Sequence, residues 1–443
     1  MSAADGVRPS NRSVDREILA LAVPAFATLV SEPALLLADS AIIGHLGTTQ
    51  LAGLGIAGNL LGILTGLSIF LAYGTTGTVA RRLGAGDKQA ALAGGIDGMA
   101  LAVLLGAALC LLLQLLLPTV IGWYGAGPAV ATAAEHYLRV AACGLPSVLL
   151  LLASTGVLRG LQDTKTPLVV AISCNLINIG LNVLLVYGLH LGIAGSATGS
   201  LIAQTASAVF LSVVVIRAAR RHGTKINFRP YGILHAARAG FWLMLRTATL
   251  QLSITVTTAV AAGIGAVALA THQVVNSLWT FLAFALDALA IAAQAVIGRY
   301  LGAGNVIMVR RLTGRMIGWG IGAGLVFGVI VAVARPLYDQ LFSPDPAVQE
   351  LLFRVLLVVA CCTPIAGVVF VLDGVLIGAG DGRYLALAGL IAMLAYLPLA
   401  IGVHATGAGL VWLWLAFGCF MLARMITLVV RARGTRWMRT GAR

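Results

Sequence analysis

Charge is scarce in this chain. Only 10% of its 443 residues are Asp, Glu, Lys or Arg, where a soluble domain carries roughly a quarter. Lysine is nearly missing, with Lys88, Lys165 and Lys225 the only three. No Walker A loop is present, which excludes ATP as the energy source. No GxSxG elbow, HExxH pair or Asp-rich prenyl-diphosphate motif is present, so no enzyme is expected. The six cysteines all lie in apolar stretches without metal-ligand spacing to histidine, so neither a disulfide framework nor a metal site follows. The first apolar run is too long for a signal segment, and no cleaved targeting peptide is expected. Alternating ten-residue strands are missing, which excludes a membrane barrel.

What the chain has is hydrophobic length. It is 60% hydrophobic, with a mean hydropathy of +0.99. Apolar runs long enough to span a bilayer, about 20 residues, occur twelve times. They cover approximately 17–40, 51–76, 91–117, 132–156, 165–188, 194–217, 238–262, 271–295, 312–334, 350–375, 384–403 and 408–430. The net charge of +14 could speak for nucleic acid, but the arginines cluster in alternate short loops. That is the positive-inside pattern, and it predicts both termini cytoplasmic. No nucleic-acid partner is expected.

The chain also repeats itself. Adding 218 carries Arg81 onto Arg299, Leu83-Gly84-Ala85-Gly86 onto Leu301-Gly302-Ala303-Gly304, Pro118 onto Pro336, Pro146 onto Pro364, and Gly156-Val157-Leu158 onto Gly374-Val375-Leu376. Prolines and an arginine at one unbroken offset are hard to obtain by chance. Each half holds six spans, so both enter the membrane from the same side, and the pseudo-two-fold axis lies along the membrane normal. The expected fold is therefore an all-α polytopic membrane protein of twelve helices in two six-helix lobes. The expected units are an N-terminal tail 1–16, an N-lobe 17–217, a basic linker 218–237, a C-lobe 238–430 and a basic tail 431–443. The Gly-rich turns read as interhelical turns, not phosphate cradles.

Ionisable residues at bilayer depth cost about 2.5–3.5 kcal/mol each on insertion scales and are the ones to question. The first span holds Glu32 and Asp39, two helical turns apart on one face, together with Pro24 and Pro33, which should kink it. A bendable helix with two acids points to a protonation-coupled element, because desolvation disfavours the charged form; a solvated Asp39 at the outer mouth is the alternative. In the fifth span Asn175, Asn178 and Asn182 share one face, as interhelical glue or as an ion or proton site. In the second half Asp287 and Gln294 are again seven apart. Asp373 should lie about 12 Å deeper than Asp381 along its helix. Asp287 and Asp373 are functional candidates, with a hydrogen bond to a neighbouring helix as the bland alternative. Asp97 reads as interfacial, and Glu135 and Arg139 as a surface pair. Trp412, Trp414 and Trp437 read as interface anchors, and His272 as a solvated interface histidine.

Taken together, Ala22-Val23-Pro24, Glu32-Pro33, Asp39-Ser40-Ala41-Ile42-Ile43-Gly44-His45-Leu46-Gly47, Arg81-Arg82-Leu83-Gly84-Ala85-Gly86-Asp87, Gly156-Val157-Leu158-Arg159-Gly160 and Leu372-Asp373-Gly374 resemble the multidrug and toxic compound extrusion (MATE) family, and within it the DNA-damage-inducible F-like (DinF) branch. The resemblance covers about Ile18 to Val430. It implies a secondary active exporter working by rocker-switch alternating access, with H+ or Na+ as coupling ion and no other cofactor. It further implies a small, cationic substrate, a multi-pass location in a bacterial plasma membrane amid membrane lipid, and a monomer. The family's first-span aspartate maps onto Asp39, and its polar cluster resembles Tyr137, Asn178, Asn182 and Ser200. Asn182 departs from the family pattern, where many relatives have aspartate; one carboxylate fewer weakens Na+ coordination and favours a proton at Asp39. A flippase of a lipid-linked precursor is the alternative, but its cavity should be rich in arginine, whereas the acids identified here within the spans favour cationic cargo.

Overall fold

A computed structural model describes residues 11–227, 229–337 and 345–441, without the side chains of Asn11 and Glu32. It contains twelve helices long and apolar enough to span a membrane. They are α1 (Arg12–Gly44), α2 (Thr48–Gly84), α3 (Lys88–Gly122), α4 (Pro128–Gly160), α5 (Lys165–Gly188), α6 (Gly192–Arg221), α7 (Pro230–Ile264), α8 (Ala266–Gly302), α9 (Val306–Val333), α10 (Pro346–Gly378), α11 (Gly382–Thr406) and α12 (Leu410–Arg433). Each expected span corresponds to one of these, in order. The helices overrun the expected ends by up to about two turns, because amphipathic and basic residues continue helical hydrogen bonding past the apolar stretch. The linker is correspondingly shorter than 218–237: α6 runs on to Arg221 and α7 begins at Pro230.

The two halves repeat in geometry as well as in sequence. Asp87 caps α3 by accepting from the Ala90 amide at 2.7 Å, and its counterpart Asn305 caps α9 from the Met308 amide at 3.0 Å. Just before each cap, Gly86 and Gly304 take left-handed φ values of 83° and 76°, which only glycine adopts without strain. Within each lobe, Gly106 presses on Pro146 and Gly324 on Pro364; Gly156 presses on the Ala72 backbone and Gly374 on the Ala290 backbone. All four pairs are related by the 218 offset.

The same offset governs the crossing between lobes. Gly84 of α2 packs on the Arg299 backbone of α8, and Gly302 of α8 packs on the Arg81 backbone of α2. The Arg81 side chain donates to the Ala379 carbonyl at 2.6 Å, while Arg299 donates to Gln162 Oε1 at 2.6 Å and pairs with Glu17. Asp15 of α1 accepts from Arg315 at 2.6 Å and from Trp319 Nε1 at 2.9 Å on α9. These contacts gather at one end of the bundle, here called the basic end. The chain after α12 folds back onto it: Arg81 donates to the Arg439 carbonyl at 2.5 Å, and the Gly441 amide donates to the Leu301 carbonyl at 3.2 Å.

Three surface expectations are overturned. Trp437 is only 2% exposed beneath that tail, and Trp414 is buried among Trp279, Phe417 and His272, so of the three expected anchors Trp412 alone faces outward. His272 is itself buried, with Nε2 2.9 Å from Thr258 Oγ1. Asp97, expected at the interface, lies near the start of α3 and is covered by the linker, accepting twice from Arg229 at 3.1 and 2.5 Å. The Glu135–Arg139 pair forms as expected, at 2.5 Å.

Candidate ion-coupling site and cavity

The half of the N-lobe away from the basic end encloses a cavity of about 550 Å³ between α1, α2, α4 and α6. Asp39, Tyr137 and Ser200 lie on its wall. Asp39 is buried, and one Oδ accepts from Asn182 Nδ2 at 2.6 Å. The same amide donates to Asn178 Oδ1 at 3.0 Å, and Asn178 Nδ2 donates to Ser200 Oγ at 2.8 Å. Asn178 and Asn182 are fully buried. Tyr137 is buried on the same stretch of cavity wall. Asp39, Asn182, Asn178 and Ser200 thus form one chain of hydrogen bonds across α1, α5 and α6, with Tyr137 of α4 on the same cavity wall. Its order follows from helix spacing, since Asn178 and Asn182 sit one turn apart on α5.

Two backbone features hold this chain together. Gly199 leaves room for Asn182, because a Cβ there would strike Asn182 Oδ1. Asn175, one turn earlier on the same face, donates to the Ser31 carbonyl of α1 at 2.7 Å and acts as glue. The helix α1 runs unbroken through Pro24 and Pro33. Pro24 has no amide to offer the Ala20 carbonyl, and Thr164 Oγ1 approaches that carbonyl at 3.4 Å instead. The Glu32 side chain lies outside the described residues.

The second-lobe candidates Asp287 and Asp373 lie in a separate buried network, joined through Arg246, which pairs with Asp373 and lies over the Tyr73 ring at 6.0 Å. Asp373 is 1% exposed, and its Oδ2 accepts from Arg246 at 2.5 Å and from Arg424 at 2.6 Å. Two buried guanidiniums therefore neutralise it. Asp287 accepts from the Tyr73 hydroxyl of the other lobe at 2.9 Å, and Gln294 donates to the Tyr73 carbonyl. Both are lobe-interface contacts outside the N-lobe cavity. Sequence reading missed the arginines. Arg159, Arg246 and Arg424 are all at least 94% buried, so the buried charge is not mostly acidic. Arg246 lies sixteen residues into α7, and that depth was the available signal. None of the three lines the N-lobe cavity, where Asp39 is the one charged residue among the described lining.

A buried acid beside a cavity, in a body of two parallel six-helix lobes, defines a membrane transporter. The chain belongs to the MatE family, whose model matches residues 24–184 and 243–401, and it fits the DinF-like branch. DNA damage-inducible protein F of Escherichia coli is 30% identical over 94% of this chain and 91% of its own length. Protein DETOXIFICATION 43 of Arabidopsis thaliana is 28% identical over 96% and 92%. Among solved structures, the Vibrio cholerae MATE transporter VcmN in its bent form superposes with a TM-score of 0.86 at 22% identity, covering 95% of this chain and 98% of that one. A transporter of the MOP superfamily from Pyrococcus furiosus superposes with a TM-score of 0.85 at 19% identity, over 95% of both chains. Membership makes this a multi-pass membrane protein of the multidrug and toxic compound efflux class.

Proposed function

We propose that the protein exports a small organic cation in exchange for a proton carried by Asp39. The carrying observation is that the cavity's one charged lining residue is a buried carboxylate whose hydrogen-bond partner, Asn182, is neutral. Such a group has two ways to be neutralised, by a proton or by a cation in the cavity, and the two compete. Proton entry weakens the acceptance from Asn182, loosens α1 from α5, and lets α1 bend near Pro24 as the cavity shrinks. A volume of about 550 Å³ suits a drug-sized ligand. Sodium is the second candidate ion; the neutral amides and hydroxyls around a single carboxylate favour the proton.

In this reading the basic end faces the cytoplasm of a bacterium, with both termini inside, as the arginine-rich loops favour. The lobes touch there, so the cavity belongs to the outward-facing half of a rocker-switch cycle. One chain is the transport unit, because cavity and carboxylate lie within it. The buried arginines do not favour the flippase alternative, since they lie outside the cavity and Asp373 engages two of them.

The test is uptake of a fluorescent cation into proteoliposomes under an imposed pH or sodium gradient. A pH gradient should drive wild-type protein and fail to drive Asp39→Asn at equal reconstitution. Response to neither gradient, or unchanged transport by Asp39→Asn, would sink the proposal.

A further inference from the structure

We propose that the pocket formed where the C-terminal tail folds back beside α11 binds the phosphate headgroup of an anionic phospholipid. The pocket has a volume of about 380 Å³ and is lined by Asp381, Arg383, Arg431, Arg436, Trp437 and Arg439. Four arginines and one aspartate thus line it, the Arg383 guanidinium lying over the Trp242 ring at 5.6 Å. That aspartate is already engaged, because Arg431 donates to Asp381 at 2.7 Å and stacks over the Tyr384 ring at 4.7 Å. Arg383, Arg436 and Arg439 have no carboxylate partner among the described residues.

These cations are not gathered by one another, since like charges repel. The tail brings them. Arg81 binds the Arg439 and Gly441 carbonyls, the Gly441 amide binds the Leu301 carbonyl, and Trp437 is buried beneath. Topology alone requires basic residues near this end, and hydrated, splayed side chains would meet that requirement. Convergence on one concave pocket calls for an anion, and the two unattached oxygens of a phosphodiester fit guanidinium forks.

The surroundings favour a lipid over a free ion. Leu387 forms part of the pocket wall and is 45% exposed. Ile391 and Leu394, one and two turns further along α11, are 58% and 55% exposed. An apolar ridge therefore begins at the basic pocket and runs into the hydrocarbon zone, where an acyl chain attached to the bound phosphate would lie. Basic pockets at the end of a helical bundle take anionic headgroups by this chemistry. The site does not depend on the transport reading, because it shares no residue with the cavity around Asp39.

The experiment titrates delipidated full-length protein in detergent with phosphatidylglycerol. It reads thermal stability and, by native mass spectrometry, retained lipid. Each basic residue contributes roughly fivefold to affinity near an anionic surface, so the triple variant R383Q/R436Q/R439Q should bind about a hundredfold more weakly. All three side chains are on exposed residues, and the lipid-free stability should stay at the wild-type value. If the triple variant does not fold, Arg436→Gln alone should lower affinity about fivefold. Phosphatidylcholine should neither stabilise nor be retained. An equal response to phosphatidylglycerol by wild type and variant would overturn the site. Equal stabilisation of wild type by inorganic phosphate would replace the lipid with a free anion, and equal stabilisation by phosphatidylcholine would leave apolar contact alone; both overturn the proposal.

Discussion

Gly84→Ala should open the basic end of the bundle without touching the cavity or its carboxylate. A Cβ at this position would lie 2.6 Å from the Arg299 carbonyl carbon and 2.8 Å from its Cα, against an ordinary contact of 3.4–4 Å. The Arg299 carbonyl oxygen lies closer still; the obstructing atoms are backbone, so no rotamer change relieves the overlap, and α2 and α8 must part by more than about 1 Å. Overpacking of this kind costs about 1–3 kcal/mol. The strain falls only on the state in which the two lobes touch. A central value of about 2 kcal/mol shifts the balance between closed and open basic ends about thirtyfold. Spin labels at Lys88 and Ile307, exposed residues on opposite lobes beside this crossing, would report the change by pulsed dipolar spectroscopy as a longer distance component. Gly318→Ala is the control, since its Cβ would meet nothing within 4 Å. A distance distribution in Gly84→Ala identical to wild type, with unchanged thermal stability, would refute the reasoning.

Gly199→Ala should push the Asn182 amide away from Asp39 and reduce gradient-driven transport while sparing expression; transport at the wild-type rate would count against the hydrogen-bond chain. Asp373→Asn should lower stability in detergent by about 3–5 kcal/mol, because it removes the acid that Arg424 pairs with and leaves Arg246 only the neighbouring Asp287; a loss below about 1 kcal/mol by chemical denaturation would contradict this. Tyr73→Phe removes a hydrogen bond to a carboxylate across the lobe interface, worth about 1.5–3 kcal/mol. It should shift the Lys88–Ile307 distances in the same direction as Gly84→Ala, and a shift toward shorter distances would show that Tyr73 does not hold the lobes together.

The architecture was legible because two strong signals carry it. Twenty-residue apolar runs survive any detail of packing, and a constant offset of 218 survives divergence when prolines and glycines fix backbone contacts. Asp39, Asn178 and Asn182 were legible because a buried acid and an amide stripe at helical spacing are costly to keep in lipid. Ser200 and Tyr137 came from the family resemblance, with nothing in their own neighbourhoods to single them out. The arginines that pair with the second lobe's acids were missed for a physical reason. Arg246 and Arg424 are partners of Asp373 at separations of 127 and 51 residues, and such pairing has no local sequence signature. Trp437 was misplaced likewise. A tryptophan after the last span belongs at the interface by default, and only the fold-back through Arg81 and Leu301 buries it.

The reciprocal contact of Gly84 on Arg299 and Gly302 on Arg81 has an evolutionary meaning. Each copy presses the same glycine against the same arginine of the other, which is the self-complementary arrangement of a two-fold homodimer. A six-helix ancestor carrying that glycine and arginine three residues apart would already have held both sides of its own interface. Fusion then needed only a tether between subunits facing the same way. It also freed the two copies to differ, so that Asp39 stands beside a cavity in one while Thr257 holds the matching position in the other.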